Sequence, residues 1–224
     1  MKSARELYGA PKAQLAFVIG CGPSIEKAKR YLMEPHDHVI RIALNAAIED
    51  IPAEYWLWID GDAYLRHRDH PNAKNATQLG VEHFKDLYRP EVYVWERVLD
   101  TARDIPAKKV IHRATSLIAA MHLAALMGSK RVVTVGCDNE VSKDYLAMKQ
   151  KQDPSKDWKN IYGFTFCRTN EGIGKLVRYG PRHVSYADAS GGSLALPPTF
   201  VNTELRMIDK WWEKVNGGIV STSV

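Results

Sequence analysis

An unbroken apolar run, Leu15-Ala16-Phe17-Val18-Ile19, leads straight into Gly20-Cys21-Gly22-Pro23-Ser24. Five successive apolar residues suit a strand buried on both faces, as in a parallel sheet covered by helices. Glycines permit a tight turn and close approach of backbone to a ligand. Pro23 suits the first turn of a helix, where its missing N–H has no intrahelical partner to lose. The residues that follow keep helical spacing, with Ile25, Ala28 and Leu32 on one face and Lys27, Lys29 and Arg30 elsewhere. The unit is therefore strand, tight turn, helix. Free N–H groups at such a turn, with the helix dipole behind them, favour an anion. Gly20, Cys21, Gly22, Pro23 and Ser24 are accordingly expected to hold nucleotide phosphates, with a plain strand-to-helix turn as the simpler alternative. The motif is not the dinucleotide fingerprint, because Ile25 stands where its third glycine would fall. Nor is it a Walker loop, since no Gly-Lys-Ser/Thr follows.

The rest of the chain repeats the alternation. Strands are expected at His38–Ala43, Tyr55–Ile59, Val92–Val94, Lys109–Ile111, Arg131–Val135 and Val184–Tyr186. Ser116–Met127 reads as a helix apolar nearly all round, hence buried, with Gly128 at its C-cap. Further helices are expected at Asn170–Tyr179 and, amphipathic and bearing Trp211 and Trp212, at Thr203–Val215. Residues 1–14 read as a polar lead-in and Ala63–Asn75 as a polar excursion. Residues 140–160 read as a lid or insertion. Strands alternating with helices predict an α/β fold, a Rossmann-like three-layer sandwich with a mostly parallel sheet, as one nucleotide-binding domain over residues 1–224. Ligands of such sheets bind at the carboxyl ends of the strands. Small and polar residues gather there: Gly20 to Ser24, Asn45, Asp60 to Asp62, and Asp138-Asn139.

Each of these motifs carries a chemistry and a plainer alternative. Asp60 and Asp62 flank Gly61, and the two carboxylates could ligate Mg²⁺ on a diphosphate, contact a ribose or act as a base; Asp-Gly is also a common turn. Thr115 and Ser116 open the buried helix, either as its N-cap or as donors to a phosphate. Asp138 and Asn139 face ligand or cap a loop. His112, just before Thr115, is a candidate general base. His67, His70 and His83 with Asp69 match no familiar metal spacing and fit a solvated segment better. Trp56 and Trp58 share one face of a strand, which favours core over a base-stacking platform.

Composition sets the outer bounds. Hydrophobic residues make up 45% of the 224 and charged residues 25%, as in ordinary globular chains. Cys21, Cys137 and Cys167 are widely spaced, which argues against a disulfide framework or zinc ribbon and for a reducing, cytoplasmic setting. No signal-peptide pattern opens the chain, and the apolar stretch Leu117–Met127 is too short to span a bilayer. The net charge of +5 suits an anionic ligand, a nucleic acid or an acidic surface, but the charges are interspersed.

Two blocks resemble known families. Phe17 through Ile25 resembles the start of the small bacterial sialyltransferases and of the hydroxymethylpterin diphosphokinase-like family, which includes motility-accessory proteins and bacterial and phage relatives. The segment Ala114-Thr115-Ser116 through Gly128, then Arg131 to Asp138, resembles a second block shared by both. The loop Ala189-Ser190-Gly191-Gly192-Ser193 loosely resembles a small-residue loop of the diphosphokinase-like group. The resemblance implies that Gly20, Gly22 and Ser24 hold nucleotide phosphates, that Asn45 contacts the nucleotide and that Thr115 and Ser116 line the donor site. Cys21 stands where the sialyltransferases carry asparagine, and Phe166–Asn170 lacks their catalytic histidine, which argues against sialyl transfer itself. The expected function is a glycosyltransferase-like enzyme using a nucleotide-sugar donor, with Asp60, Asp62 or His112 as base or metal ligand. The alternatives are an Mg²⁺-ATP diphosphokinase and a non-catalytic nucleotide- or nucleic-acid-binding protein. The acceptor (glycan, small molecule or nucleic acid) and a homo-oligomeric state stay open.

Overall fold

A computed structural model describes residues 1–9, 13–22, 25–34, 36–98, 110–111, 115–137, 147, 150–151, 153–157 and 184–188. Its centre is an eight-stranded sheet in which every pairing is parallel. The strands are β1 (Lys2–Ser3), β2 (Leu15–Ile19), β3 (Val39–Leu44), β4 (Tyr55–Trp58), β5 (Thr77–Val81), β6 (Tyr93–Trp95), β9 (Arg131–Val135) and β10 (Ser185–Asp188). Two short strands, β7 (Arg97–Val98) and β8 (Val110–Ile111), pair separately. The spatial order is β1-β6-β5-β4-β3-β2-β9-β10. From β2 the chain winds outward through β3, β4, β5 and β6, then returns to lay β9 on the other side of β2. Strand order therefore reverses at β2, with Ile19 opposite both Ala43 of β3 and Val135 of β9. The fold is α/β and Rossmann-like, as expected.

Alternation along the strands feeds two cores. One face carries Ala16, Val18, Ile40, Ile42, Leu44, Leu57 and Val132, packed against α5 (Ser116–Leu126). The other carries Leu15, Phe17, Ile19, Ala43, Trp56, Trp58 and Val133. That face is covered from α1 (Ile25–Leu32), α2 (Ala47–Asp50), α3 (Gly61–His67) and α4 (Pro71–Asn75) by Leu32, Ile48, Tyr64 and Ala73. Helices on both faces make three layers. Trp56 and Trp58 are core residues, fully buried with ring centroids 4.3 Å apart, and Tyr64 stacks on both.

Among the described residues Arg41 is the one charged side chain in the buried polar set, on the otherwise apolar β2–β3 surface. Its guanidinium pairs with the Glu54 carboxylate and donates to the Leu32 carbonyl at 2.6 Å, while its backbone N–H donates to Glu54 at 2.7 Å. Arg41 thus caps the last turn of α1 and ties it to the sheet, and Glu54 supplies the countercharge a buried cation requires.

Three expectations are corrected. The first residues are not a lead-in: Lys2–Ser3 pairs with β6, and Ser3 and Glu6 form a capping box on a 3-10 turn. Ala63–Asn75 is not an excursion but most of α3 and α4, with Pro71 at the first position of α4. A whole strand, β5, goes unread in the sequence because Gln78 and Gly80 interrupt its apolar pattern. Inside the fold Gln78 donates to the Ala73 carbonyl at 3.0 Å, and Gly80 makes room for the Tyr88 ring. The short strand expected at Lys109–Ile111 is present as Val110–Ile111, paired with β7. The expected helices at Asn170–Tyr179 and Thr203–Val215, and the loop Ala189–Ser193, lie outside the described residues, as does most of 140–160. Among the described residues no helix is long and apolar enough to cross a membrane.

Helix α5 is buried from Ser116 to Ala125, His122 included at 3% exposure. Burial pushes the His122 imidazole down to about 4 from its ordinary 6.5. The unfolded chain therefore binds a proton that the folded chain refuses, and stability falls as pH drops from about 6.5 toward 4. Between pH 7.5 and pH 5 this group should cost about 2 kcal/mol. Urea melts at both pH values should show that loss in the parent protein and its absence in His122→Gln; equal losses in the two would refute the assignment.

Candidate functional site

Because every strand of the sheet runs the same way, all carboxyl ends meet one edge. There β2 ends at Gly20, β3 at Asn45, β4 at Ile59-Asp60 and β9 at Gly136-Cys137. Strand order reverses between β2 and β9, the usual ligand position in open parallel sheets.

The two loops at that point are pressed together. Gly20 N–H donates to the Val135 carbonyl at 2.8 Å, and Gly22 N–H to the Gly136 carbonyl at 2.7 Å. A Cβ on Gly20 would lie 2.3 Å from the Gly136 oxygen; one on Gly136 would lie 2.7 Å from the Gly20 oxygen. Gly136 also has φ +64°, the left-handed region where glycine is at no disadvantage. Both glycines are required by backbone-to-backbone contact. This corrects the expectation that Gly20 and Gly22 present free amides to an anion, since both N–H groups are already bound within the protein. The Cys21 N–H has no acceptor among the described residues. Pro23 and Ser24 lie outside the described residues.

Cys21 leans the other way, with Sγ 3.5 Å from the Leu44 carbonyl. Burial pushes its thiol up, against the pull of the Ala47 and Ala46 amides. A thiol shifted in that direction is not an activated nucleophile. Cys137 Sγ sits 3.5 Å from the Val135 carbonyl.

Asn45 adopts φ +48°, a conformation asparagine enters more readily than most residues. Its N–H donates to the Leu57 carbonyl at 3.1 Å, and its own carbonyl accepts from the Trp56 indole at 2.9 Å. Its side-chain Nδ2 reaches Ser116 Oγ at 3.4 Å, and Oδ1 is enclosed without a donor. The structure thus brings Asn45 to the head of α5. Thr115 is the N-cap: its Oγ1 accepts from Ile118 N–H at 3.4 Å. The N–H groups of Ser116 and Leu117 belong to the first turn and have no acceptor among the described residues. Four groups therefore converge between β2, β3 and α5: the Asn45 amide, the Ser116 hydroxyl and two first-turn N–H groups.

Asp60 and Asp62 are exposed at the start of α3, Asp60 as an N-cap residue whose side chain makes no cap bond. Among the described residues no three His, Cys, Asp or Glu side chains group to hold a metal ion. The histidines disperse: His67 Nδ1 is 2.8 Å from Glu49, His70 caps α4, and His83 packs edge-on to Phe84. Asp69 pairs with Arg89 at 2.8 Å, and that hydrogen bond holds its carboxyl below the usual range. His112, Asp138 and Asn139 lie outside the described residues. Sequence reasoning missed Trp56 as a partner of Asn45; its place on the core face of β4 hid the reach of its indole N–H.

No protein-family model matches the sequence, and a comparison with curated proteins gives no match. Among solved structures the chain is similar to the MAf glycosyltransferase from Magnetospirillum magneticum AMB-1, with a TM-score of 0.52 and 15% identity. The similarity covers 94% of this chain and 38% of that one, so this chain spans well under half of that protein's length. It shows a shared glycosyltransferase-like fold.

The glycine contact is open to direct test. Alanine at Gly20 or Gly136 forces backbone apart at the contact, an overpacking cost of about 1–3 kcal/mol. At Gly136 the left-handed backbone adds about 1 kcal/mol more. Denaturant melts should rank Gly136→Ala below Gly20→Ala and both below the parent; parent-like stability for either would remove the contact from the account.

Proposed function

We propose that this protein is a glycosyltransferase-like enzyme that binds a nucleotide-activated sugar where β2 and β3 meet the head of α5. The observation that carries the reading is the Asn45–Ser116 hydrogen bond, 3.4 Å, at the carboxyl edge of the sheet, one strand from where the order reverses. The likeness of the fold to a glycosyltransferase supports the reaction class. In this reading the diphosphate does not lie in the glycine turn. It lies against the Ser116 and Leu117 N–H groups, with the positive end of the α5 dipole behind them. The Ser116 hydroxyl and the Asn45 amide fix its orientation, and the Cys21 N–H supplies a further donor.

The same donors serve the transfer step. As the acceptor hydroxyl attacks the anomeric carbon, the bond to the nucleotide phosphate breaks and negative charge grows on the departing oxygen. Fixed N–H groups aimed at that charge lower the barrier without reorganising. Asp60, exposed at the end of β4 on the same edge, accepts the proton lost by the acceptor hydroxyl.

Thermal-shift and calorimetric titration with CMP, UDP, GDP and ATP tests this reading. At a hundredfold excess over Kd the preferred nucleotide should stabilise the fold by about 2.7 kcal/mol. Asn45→Gly keeps the left-handed backbone without strain but removes the amide. It should melt like the parent and bind about tenfold more weakly. Silence across all four nucleotides, or parent-like affinity in Asn45→Gly, would refute the reading.

A further inference from the structure

Asn45 is useful at the site only if its backbone turns the amide toward Ser116. The φ of +48° is one that asparagine enters more readily than most residues, and two neighbouring groups hold it here. One is the ladder bond from Asn45 N–H to Leu57. The other is the Trp56 indole, whose Nε1–H donates to the Asn45 carbonyl at 2.9 Å. Trp56 is fully buried and locked in the stack with Trp58 and Tyr64, so the indole N–H has a fixed direction. Trp58 provides an internal comparison. It lies on the same face of the same strand, equally buried, and its indole N–H is not bonded to Asn45.

We infer that Trp56 is a positioning residue for nucleotide recognition, acting through its indole N–H on the Asn45 turn rather than by touching the ligand. The inference rests on the reading under Proposed function and extends it into the core. A tryptophan one layer beneath the edge then sets the angle at which the Asn45 amide meets the head of α5, so the aromatic stack has a part in affinity as well as in stability.

Trp56→Phe and Trp58→Phe both keep an aromatic ring and remove one indole N–H. In the full chain both should lower the melting temperature by similar amounts. Only Trp56→Phe should weaken binding of whichever of CMP, UDP or GDP binds the parent best, by five- to tenfold. In the Asn45→Gly background Trp56→Phe should produce no further change in Kd. Equal Kd values for Trp56→Phe and the parent, or equal weakening by both tryptophan changes, would overturn the inference. Nitrogen-15 NMR gives a readout that needs no ligand: Trp56→Phe should displace the Asn45 side-chain and Ser116 resonances, and Trp58→Phe should leave them in place. If the parent binds none of the nucleotides, the functional reading fails while this comparison still decides whether Trp56 positions Asn45. If Trp56→Phe does not fold, the parent's indole signals decide: nucleotide addition should shift Trp56 Nε1–H more than Trp58 Nε1–H, and the reverse would overturn the inference.

Discussion

The contact of two glycine backbones across β2 and β9 is the constraint on which the rest of the structure depends. Gly20 and Gly136 meet at distances no Cβ tolerates, and two N–H donations close the seam. This seam lies where strand order reverses, so it joins the outward-wound half of the sheet to the returning half. A side chain at either position would push the loops apart and with them the starts of the elements that follow. The glycines here serve chain against chain, and in the function proposed above the ligand donors are displaced to the next gap along the edge, between β3 and α5.

That displacement follows from the layers. Helix α5 packs across the face formed by Val18, Ile42 and Leu57, with its first turn at the carboxyl edge. On the opposite face the large aromatics Trp56, Trp58, Tyr64 and Tyr88 fill the space beneath the same edge. Tyr88 is buried deeply enough that its phenol is pushed up to about 12. Such stacks contribute about 0.5–1.5 kcal/mol per ring pair beyond the area they bury. They also give the edge a rigid floor, and a site held by packed side chains is more exact than one held by loops. The Arg41–Glu54 pair does similar work on the far side by fixing the end of α1 to β3.

Much of this was legible in the sequence, for a physical reason. Strands buried on both faces are rich in apolar residues, so Leu15–Ile19 and the valines of Arg131–Val135 declared themselves, and the alternation with helices implied the parallel sheet. Asn45, Thr115 and Ser116 were readable because each stands directly after a strand or before a buried helix. Strand β5 was not readable, because Gln78 and Gly80 answer to Ala73 and Tyr88, neighbours only in the fold. The fate of the Gly20 and Gly22 amides was hidden for the same reason. A turn sequence shows that glycine is needed, but not whether a ligand or a distant carbonyl is what approaches. Trp56 looked like core and is core; its second task depends on the direction of one N–H, which no pattern of residue types encodes.

The central claim is that the phosphate donors lie at Asn45 and the head of α5, beside a glycine seam that stays closed. A crystal structure of the protein with its preferred nucleotide tests this most directly. The account predicts phosphate oxygens within hydrogen-bond distance of the Ser116 and Leu117 N–H groups, Asn45 turned toward them, and the Gly20–Val135 and Gly22–Gly136 bonds intact. A phosphate seated on the Gly20 and Gly22 amides with those bonds broken, or a nucleotide bound away from this edge, would contradict it.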